Sequence, residues 1–209
     1  PRVDYWELSG SVNFNEADVD LSHCVFENNR SEDALNVIRS SFTLDESKFI
    51  DTYSDAFDGD FVTGSITNSS FVNSGNDGID ISGSNLILSN IVIKNPADKG
   101  LSAGEGSTMT GNNIKVNGGE IGVVSKDLST IVLTDVTIEN TRLGIACFQK
   151  KSEFGPGIVN LKDLRFSGIE VPYLIAENSD LIIDDVITHD KSEDVIGKMY
   201  GNEYVKSSK

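Results

Sequence analysis

The sequence predicts an all-β protein: a parallel β-helix solenoid of about eight coils, with three short strands per coil and a short C-terminal helical cap. Three observations carry that prediction. Small residues recur at a fixed interval of 22, at Ala34, Ala56, Gly78, Gly100, Gly122 and Gly144. An internal period of that length marks a solenoid, in which each unit buries its apolar face by stacking on the next. Apolar residues keep the same interval on either side of the small column, in the alternation of a β-strand. Finally, hydrophobic content is only 38%, which is lean for a globule but suits a thin core lined by a few inward columns per turn.

The first strand of each coil supplies two inward columns, two residues apart because strand side chains alternate between faces. One column reads Leu35, Phe57, Ile79, Leu101, Val123, Ile145, and the other Val37, Gly59, Ile81, Ala103, Ser125, Cys147. The second strand supplies Leu44, Ile66, Leu88 and Val132. The third supplies Phe49, Phe71, Ile93, Val116 and Ile138, with one extra residue expected near Asn112-Asn113. Gly, Asn, Asp and Ser bound these segments, as they do strands generally. Ahead of this block, Val12, Phe14, Val19, Leu21, Cys24 and Phe26 match the same columns at a spacing of 23. Behind it, Gln149 to Gly157 reads as a protruding polar loop around Gly155-Pro156-Gly157. The pattern resumes at Leu164, Phe166, Tyr173, Ile175, Leu181, Ile183 and Val186. Asn73, Asn95 and Asn140 recur just after the third strand, either as an internal ladder of amides or as ordinary turn residues.

The expected organisation is therefore a lead-in over residues 1–10, a β-helix over 11–189, and a cap and tail over 190–209. The lead-in, with Tyr5 and Trp6, reads as a junction to a preceding domain, because an uncovered end strand invites association. The chain opens at Pro1 without Met, which fits a removed leader or an additional N-terminal domain. In the tail, Val195, Ile196, Met199 and Tyr200 fall at helical spacing behind Ser192 as the expected cap. That helix is expected over the open bottom of the solenoid.

The net charge of −16 over 209 residues argues against nucleic acid, which demands a basic footprint. It argues equally against anionic membranes, and against polyanionic substrates unless a cation mediates. No apolar run approaches the roughly 18 residues a membrane span needs. Cys24 and Cys147 form no metal or redox motif. They belong to coils six strand spacings apart, roughly 29 Å at ~4.8 Å each, far beyond disulfide reach. Both are expected to be reduced and buried.

Residues between the inward columns point outward, and there the acids gather. One outward column reads Asn36, Asp58, Asp80, Ser102, Val124, Ala146; the next reads Ile38, Asp60, Ser82, Gly104, Lys126, Phe148. A third, at the bend before the strand, reads Asp33, Asp55, Asp77, Lys99. Two unit charges at ~5 Å repel by about 3 kcal/mol at an effective dielectric near 20. Asp58, Asp60 and Asp80 therefore call for a cation, raised pKa values or hydrogen bonds. Oxygen-only ligands on a stiff sheet suit calcium; the plainer alternative is an acidic ladder that keeps the protein soluble. Beside the ridge, Ser82, Ser102 and Gly104 make a shallow groove closed by Lys126, with Glu105 and Lys150 at its rim. That shape suits an extended polysaccharide. Lys99 stacks on Asp77 either as an ion pair or as a proton-abstracting base beside a cation-held uronate. Lys126 is the other candidate base.

In repeat length and column pattern, residues 11–189 resemble the right-handed parallel β-helix, or pectin-lyase-like, superfamily, which implies a right-handed, single-stranded solenoid. The run Asn76-Asp77-Gly78-Ile79-Asp80-Ile81 resembles the Asn-Thr-Asp-Gly-Ile-Asp signature of polygalacturonases, without its Thr. Gly100-Leu101-Ser102 resembles the tail of their Gly-His-Gly-Ile/Leu-Ser motif. Lys99 stands where that His would be, the paired-Asp motif is missing, and no Arg-Ile-Lys follows. His23 and His189 lie in the first and last coils, so that family's hydrolysis is not expected here. Lyases of this fold pair acidic calcium ligands with a Lys or Arg base, which Asp58, Asp80 and Lys99 or Lys126 resemble without a full motif. The His-containing acidic motif of mannuronan epimerases is absent. The functional expectation is a non-catalytic or accessory β-helix domain of a larger secreted or cell-surface protein, binding a cation, an extended glycan, or both. A calcium-dependent polysaccharide lyase and a structural spacer are the alternatives.

Overall fold

The computed structural model describes residues 2, 3 and 6–201; Tyr5, which belongs to the expected lead-in, lies outside them. The coils are built on two sheets. The first strands form an eight-stranded sheet from Gly10–Asn15 through Asp33–Ile38, Asp55–Asp60, Ile79–Ser82, Lys99–Gly104, Ile121–Lys126 and Leu143–Phe148 to Val171–Ile175. The second and third strands share a twelve-stranded sheet. They are separate in the upper coils and fuse into bent ten-residue strands from Asn85–Lys94 onward. Pairing between coils is parallel, with Phe57, Ile79, Leu101, Val123 and Ile145 in one register. That register holds because slipping a strand by one residue would turn its apolar set out to water.

Both first-strand inward columns are buried as expected, and so is the third-strand column from Phe49 to Ile138. The rings of Phe26, Phe49 and Phe71 stack nearly parallel, at centroid distances of 4.5 and 4.7 Å. Several details depart from expectation. The second-strand column continues through Gly111 to Leu133, which is buried, while Val132 faces outward. The extra residue sits earlier than Asn112, in the turn between Gly104 and Thr108. Ser82 pairs Gly104, but Asn85 pairs Thr108, and Gly106 in that turn is left-handed at φ 77°. Val186 is not an inward residue. It forms an exposed antiparallel pair with Ile183 that ends the sheet.

The bends explain the Asn-rich composition. Asn68, Asn73, Asn90, Asn95, Asn113 and Asn140 all adopt left-handed φ, a conformation Asn tolerates better than most residues. An amide ladder does run from Asp51 through Asn73 to Asn95, with bonds of 2.7 and 3.1 Å, but on the exposed side. A longer one, Asp45–Asn68–Asn90–Asn113, lies at the bend between second and third strands. The internal ladder is made of serines instead. The N–H groups of Val62, Ser84 and Ser107 donate to Ser84, Ser107 and Ser129 Oγ one coil on. These buried hydroxyls satisfy turn N–H groups that water cannot reach.

Both cysteines are free, with Cys147 buried and burial holding its thiol well above the usual range. Cys24, in the first coil, is only half-buried, with its Sγ 3.5 Å from the Ser22 carbonyl oxygen. The helix spans Val195–Tyr200 and is capped by Asp194, whose carboxylate accepts from Gly197 N–H, rather than by Ser192. It does not close the bottom of the solenoid. Val195 and Met199 pack on the outer face of the eight-stranded sheet, against Ile121, Val124, Leu143, Ala146, Phe148 and Leu174. Among the described residues no helix is long and apolar enough to cross a membrane.

Candidate functional site

The outer face of the eight-stranded sheet changes character along the solenoid. In register it reads Asn36, Asp58, Asp80, Ser102, Val124, Ala146, Leu174. The apolar end lies under the C-terminal helix, which leaves the acidic end to solvent. Beside this column, Asp60 pairs with Ser82 and Ser82 with Gly104. The sheet therefore brings together Asp58, Asp60, Asp80 and Ser82, with Lys126 reaching Asp80 from two strands further on.

Each member of the acidic ridge meets its neighbours' charge differently. Asp58 is pushed up to about 9, by burial first and then by repulsion from Asp60, Asp33 and Asp80. Asn36 Nδ2 donates to its Oδ2 at 2.7 Å. Asp60 is raised by burial and then by Asp80. Asp80 faces Lys126, with Nζ 3.6 Å from Oδ1, a separation for an ion pair rather than a hydrogen bond. Of the three responses open to crowded carboxylates, the chain supplies protonation, a hydrogen bond and an internal ammonium. Among the described residues no group of three or more His, Cys, Asp or Glu side chains is arranged to hold a metal ion.

The bend column is bonded along its own length. Asp55 Oδ1 accepts from Asn76 Nδ2 and from Asp77 N–H, and Asp77 Oδ1 accepts from Lys99 N–H at 3.0 Å. Lys99 is buried, 3.2 Å from both Asp77 oxygens and paired with Asp98. Burial alone would lower its pKa, but Asp77 and Asp98 outweigh it and hold the ammonium above its usual range. A general base must shed its proton near working pH, and this environment opposes that for Lys99. Lys126 Nζ donates to Ser102 Oγ at 2.8 Å, and its chain crosses Gly104, where a Cβ would lie 2.9 Å from Cε. Ser102 and Gly104 are consequently buried beneath it. Glu105 pairs with Lys151. Lys150 is exposed, and only its backbone N–H is engaged, by Asp127 Oδ1.

The raised carboxylates have a consequence for stability. The native chain holds protons on Asp33 up to about pH 6, on Asp77 to about 7 and on Asp58 to about 9, against 3.8 for an ordinary Asp. The folded state therefore binds more protons than the unfolded one across this window. By linkage, the contribution of these three groups to stability is full below about pH 4 and is lost as pH rises toward 9. Thermal melts from pH 5 to 9 should show Tm falling, and Asp58→Asn should flatten the fall above pH 7 and raise Tm at pH 8.5. A flat wild-type profile would contradict the buried acid cluster.

Sequence reasoning missed several residues at this face. Asn36 was visible as a polar residue in the outward column. Asp127 is fully buried and ties the 149–157 loop by accepting the N–H groups of Lys150 and Lys151. Phe61, exposed beside Asp60, lies under Arg39, whose guanidinium carbon is 5.6 Å from the ring centre. Tyr200 donates to Asp98 at 3.1 Å.

Coils, register and a polar outer face over a narrow apolar core define a parallel β-helix protein with its candidate site on one sheet. A family model described as a right handed beta helix region matches residues 12–184. The chain belongs to that family. No curated protein matches. Among solved structures, the catalytic domain of a GH87 alpha-1,3-glucanase in complex with nigerose is similar at 12% identity and a TM-score of 0.38. The match covers 87% of this chain and 51% of that one, so the chain spans about half that domain's length. At that TM-score the likeness bears on neither ligand nor reaction.

Proposed function

We propose that the chain is a non-catalytic glycan-binding β-helix domain that lays an extended, uncharged polysaccharide across the acidic end of the eight-stranded sheet. The observation that carries this reading is the half-buried row of Asp58, Asp60, Asp80 and Ser82 on the outer face of adjacent strands, bounded by Lys126. Strands ~4.8 Å apart repeat donors and acceptors at a pitch an extended chain can follow. A protonated Asp58 donates, the carboxyl oxygens beside it accept, and Ser82 does both. With a net charge of −16 and no free cation on this row, the face disfavours uronate polymers and favours hydroxyl-rich neutral ones. Its place in a larger secreted or cell-surface protein is part of the same proposal.

Affinity electrophoresis against neutral, amino-bearing and uronate polymers tests it. Retardation by a neutral polymer should weaken at least tenfold, about 1.4 kcal/mol, in Asp80→Asn and Lys126→Ala. No retardation by any polymer, or none sensitive to these changes, would remove the reading. If free Ca²⁺ raises Tm by mass action and Asp80→Asn abolishes the rise, the ridge is a calcium site instead. One observation favours a second reading: Asp58 is held protonated by burial and by repulsion from Asp60, and a carboxylic acid kept neutral beside a second carboxyl group is the equipment of glycoside hydrolysis. Release of reducing ends from the bound polymer, lost in Asp58→Asn, would make the domain a hydrolase.

A further inference from the structure

A cavity of about 370 Å³ opens at the bend side of the sheet and is lined by Gly75, Asn76, Ala97, Asp98, Glu120 and Tyr200. Its floor comes from the bends that lead into the strands starting at Ile79, Lys99 and Ile121. Its wall is the last residue of the C-terminal helix, so the cavity exists only because that helix docks on the sheet. The volume lies at the small end of the range for small-molecule sites.

The carboxylates of this cavity are already engaged by cations of the chain. Asp98 pairs with Lys99 and accepts from the Tyr200 hydroxyl. Glu120 pairs with Arg142, whose other nitrogen holds the Met199 carbonyl and so anchors the helix. Lys99 Nζ also lies 6.0 Å from the Tyr200 ring centre. Asp98 shares Lys99 with Asp77, and a carboxylate held by an internal cation exerts a reduced field on a passing ion. It still has lone pairs for hydroxyl donors, since each ionised carboxylate offers about four acceptor sites. The Tyr200 ring adds an amphipathic wall with an apolar face and a polar tip. Acceptors on one side and an aromatic on the other match a pyranose, whose hydroxyl edge and C–H face differ in the same way.

We infer that this cavity binds a single neutral sugar residue, at a site distinct from the acidic ridge. The ligand class rests on the glycan reading above, whereas the site does not share its residues. Ala97 is exposed at the cavity, so Ala97→Phe plugs it without entering the core.

The test is amide chemical-shift titration of the intact domain with neutral monosaccharides at millimolar concentration. Glucose, galactose, mannose and N-acetylglucosamine are the probes. The expected result is saturable shifts at Asn76, Asp98 and Glu120 with at least one of them. Those shifts should weaken at least tenfold in Ala97→Phe and in Glu120→Gln and persist in Asp80→Asn. Either cavity variant suffices if the other misfolds. Shifts that survive both cavity variants, or that appear on the ridge alone, would overturn the inference. So would a stronger response of the same amides to methylammonium, which would make the cavity a cation site. Polymer retardation and monosaccharide shifts are separate readouts, so loss of one reading leaves the other visible.

Discussion

Gly122→Val is expected to prevent the solenoid from closing and to yield protein that neither melts cooperatively nor stays soluble. A Cβ at Gly122 would lie 2.6 Å from the Gly144 carbonyl oxygen and 2.8 Å from Ile138 Cγ2. The first is backbone of the next coil and cannot step aside without breaking the ladder. The second is a stacked core side chain. The same squeeze recurs at Gly78, Gly100 and Gly144, where the next coil's backbone oxygen would be 2.8, 2.6 and 2.5 Å away. This is the physical origin of the glycines in the small-residue column: at these four coils the chain passes so close to its neighbour that a methyl overfills the gap, whereas the first two coils of the column accommodate the methyls of Ala34 and Ala56. Overpacking typically costs about 1–3 kcal/mol, the range expected for Gly122→Ala, and Val adds two further methyls to the same gap. Gly106→Ala is the control, because nothing lies within 4 Å of its Cβ and only its left-handed φ of 77° resists. It should cost roughly 1–2 kcal/mol. Urea midpoints for the three variants decide the matter, and a Gly122→Ala protein as stable as wild type would refute the account.

Lys99→Met is expected to cost about 3–5 kcal/mol at pH 8, because removing one partner of a buried pair strands the other. The stranded groups are Asp77, which is 1% exposed, and Asp98. Asp77 already sits at about 7, raised by burial, lowered by Lys99, and raised again by Asp80 and Asp55. Without Lys99 it rises further, so the variant's deficit should shrink toward pH 5, where Asp77 takes up its proton, and grow as pH increases. Asp77→Asn on the Lys99→Met background should recover much of the loss, since Asn keeps an oxygen for the Lys99 backbone N–H without the charge. A pH-independent deficit that Asp77→Asn leaves untouched would show that packing, not charge, explains it.

How much of this could be read in advance follows from the range over which each feature is decided. The inward columns were legible because a 22-residue period places Phe57, Ile79 and Leu101 on one another whatever else the chain does. Val132 and Leu133 could not be told apart, because both are apolar and a single inserted residue upstream shifts which one faces in. The acidic ridge was legible as a column, and Asp58, Asp60 and Asp80 do share one face. What each carboxylate does there was not, since its protonation depends on how much water and how many other charges the fold leaves around it.

The repeat by itself determined a parallel β-helix, its inward and outward parity and the clustering of acids on one sheet. These follow from strand alternation and one fixed interval, both local properties of the chain. The tertiary structure alone decided where the C-terminal helix goes. Helical spacing showed an apolar stripe in Val195 and Met199, and the outward columns showed Val124 and Ala146 with nothing to cover them. Nothing local joins two apolar faces that lie some 50 to 75 residues apart in sequence; they meet because each removes the other from water. That contact divides the outer face into a covered half and an acidic half. It also brings Tyr200 to Asp98 and makes the cavity between them.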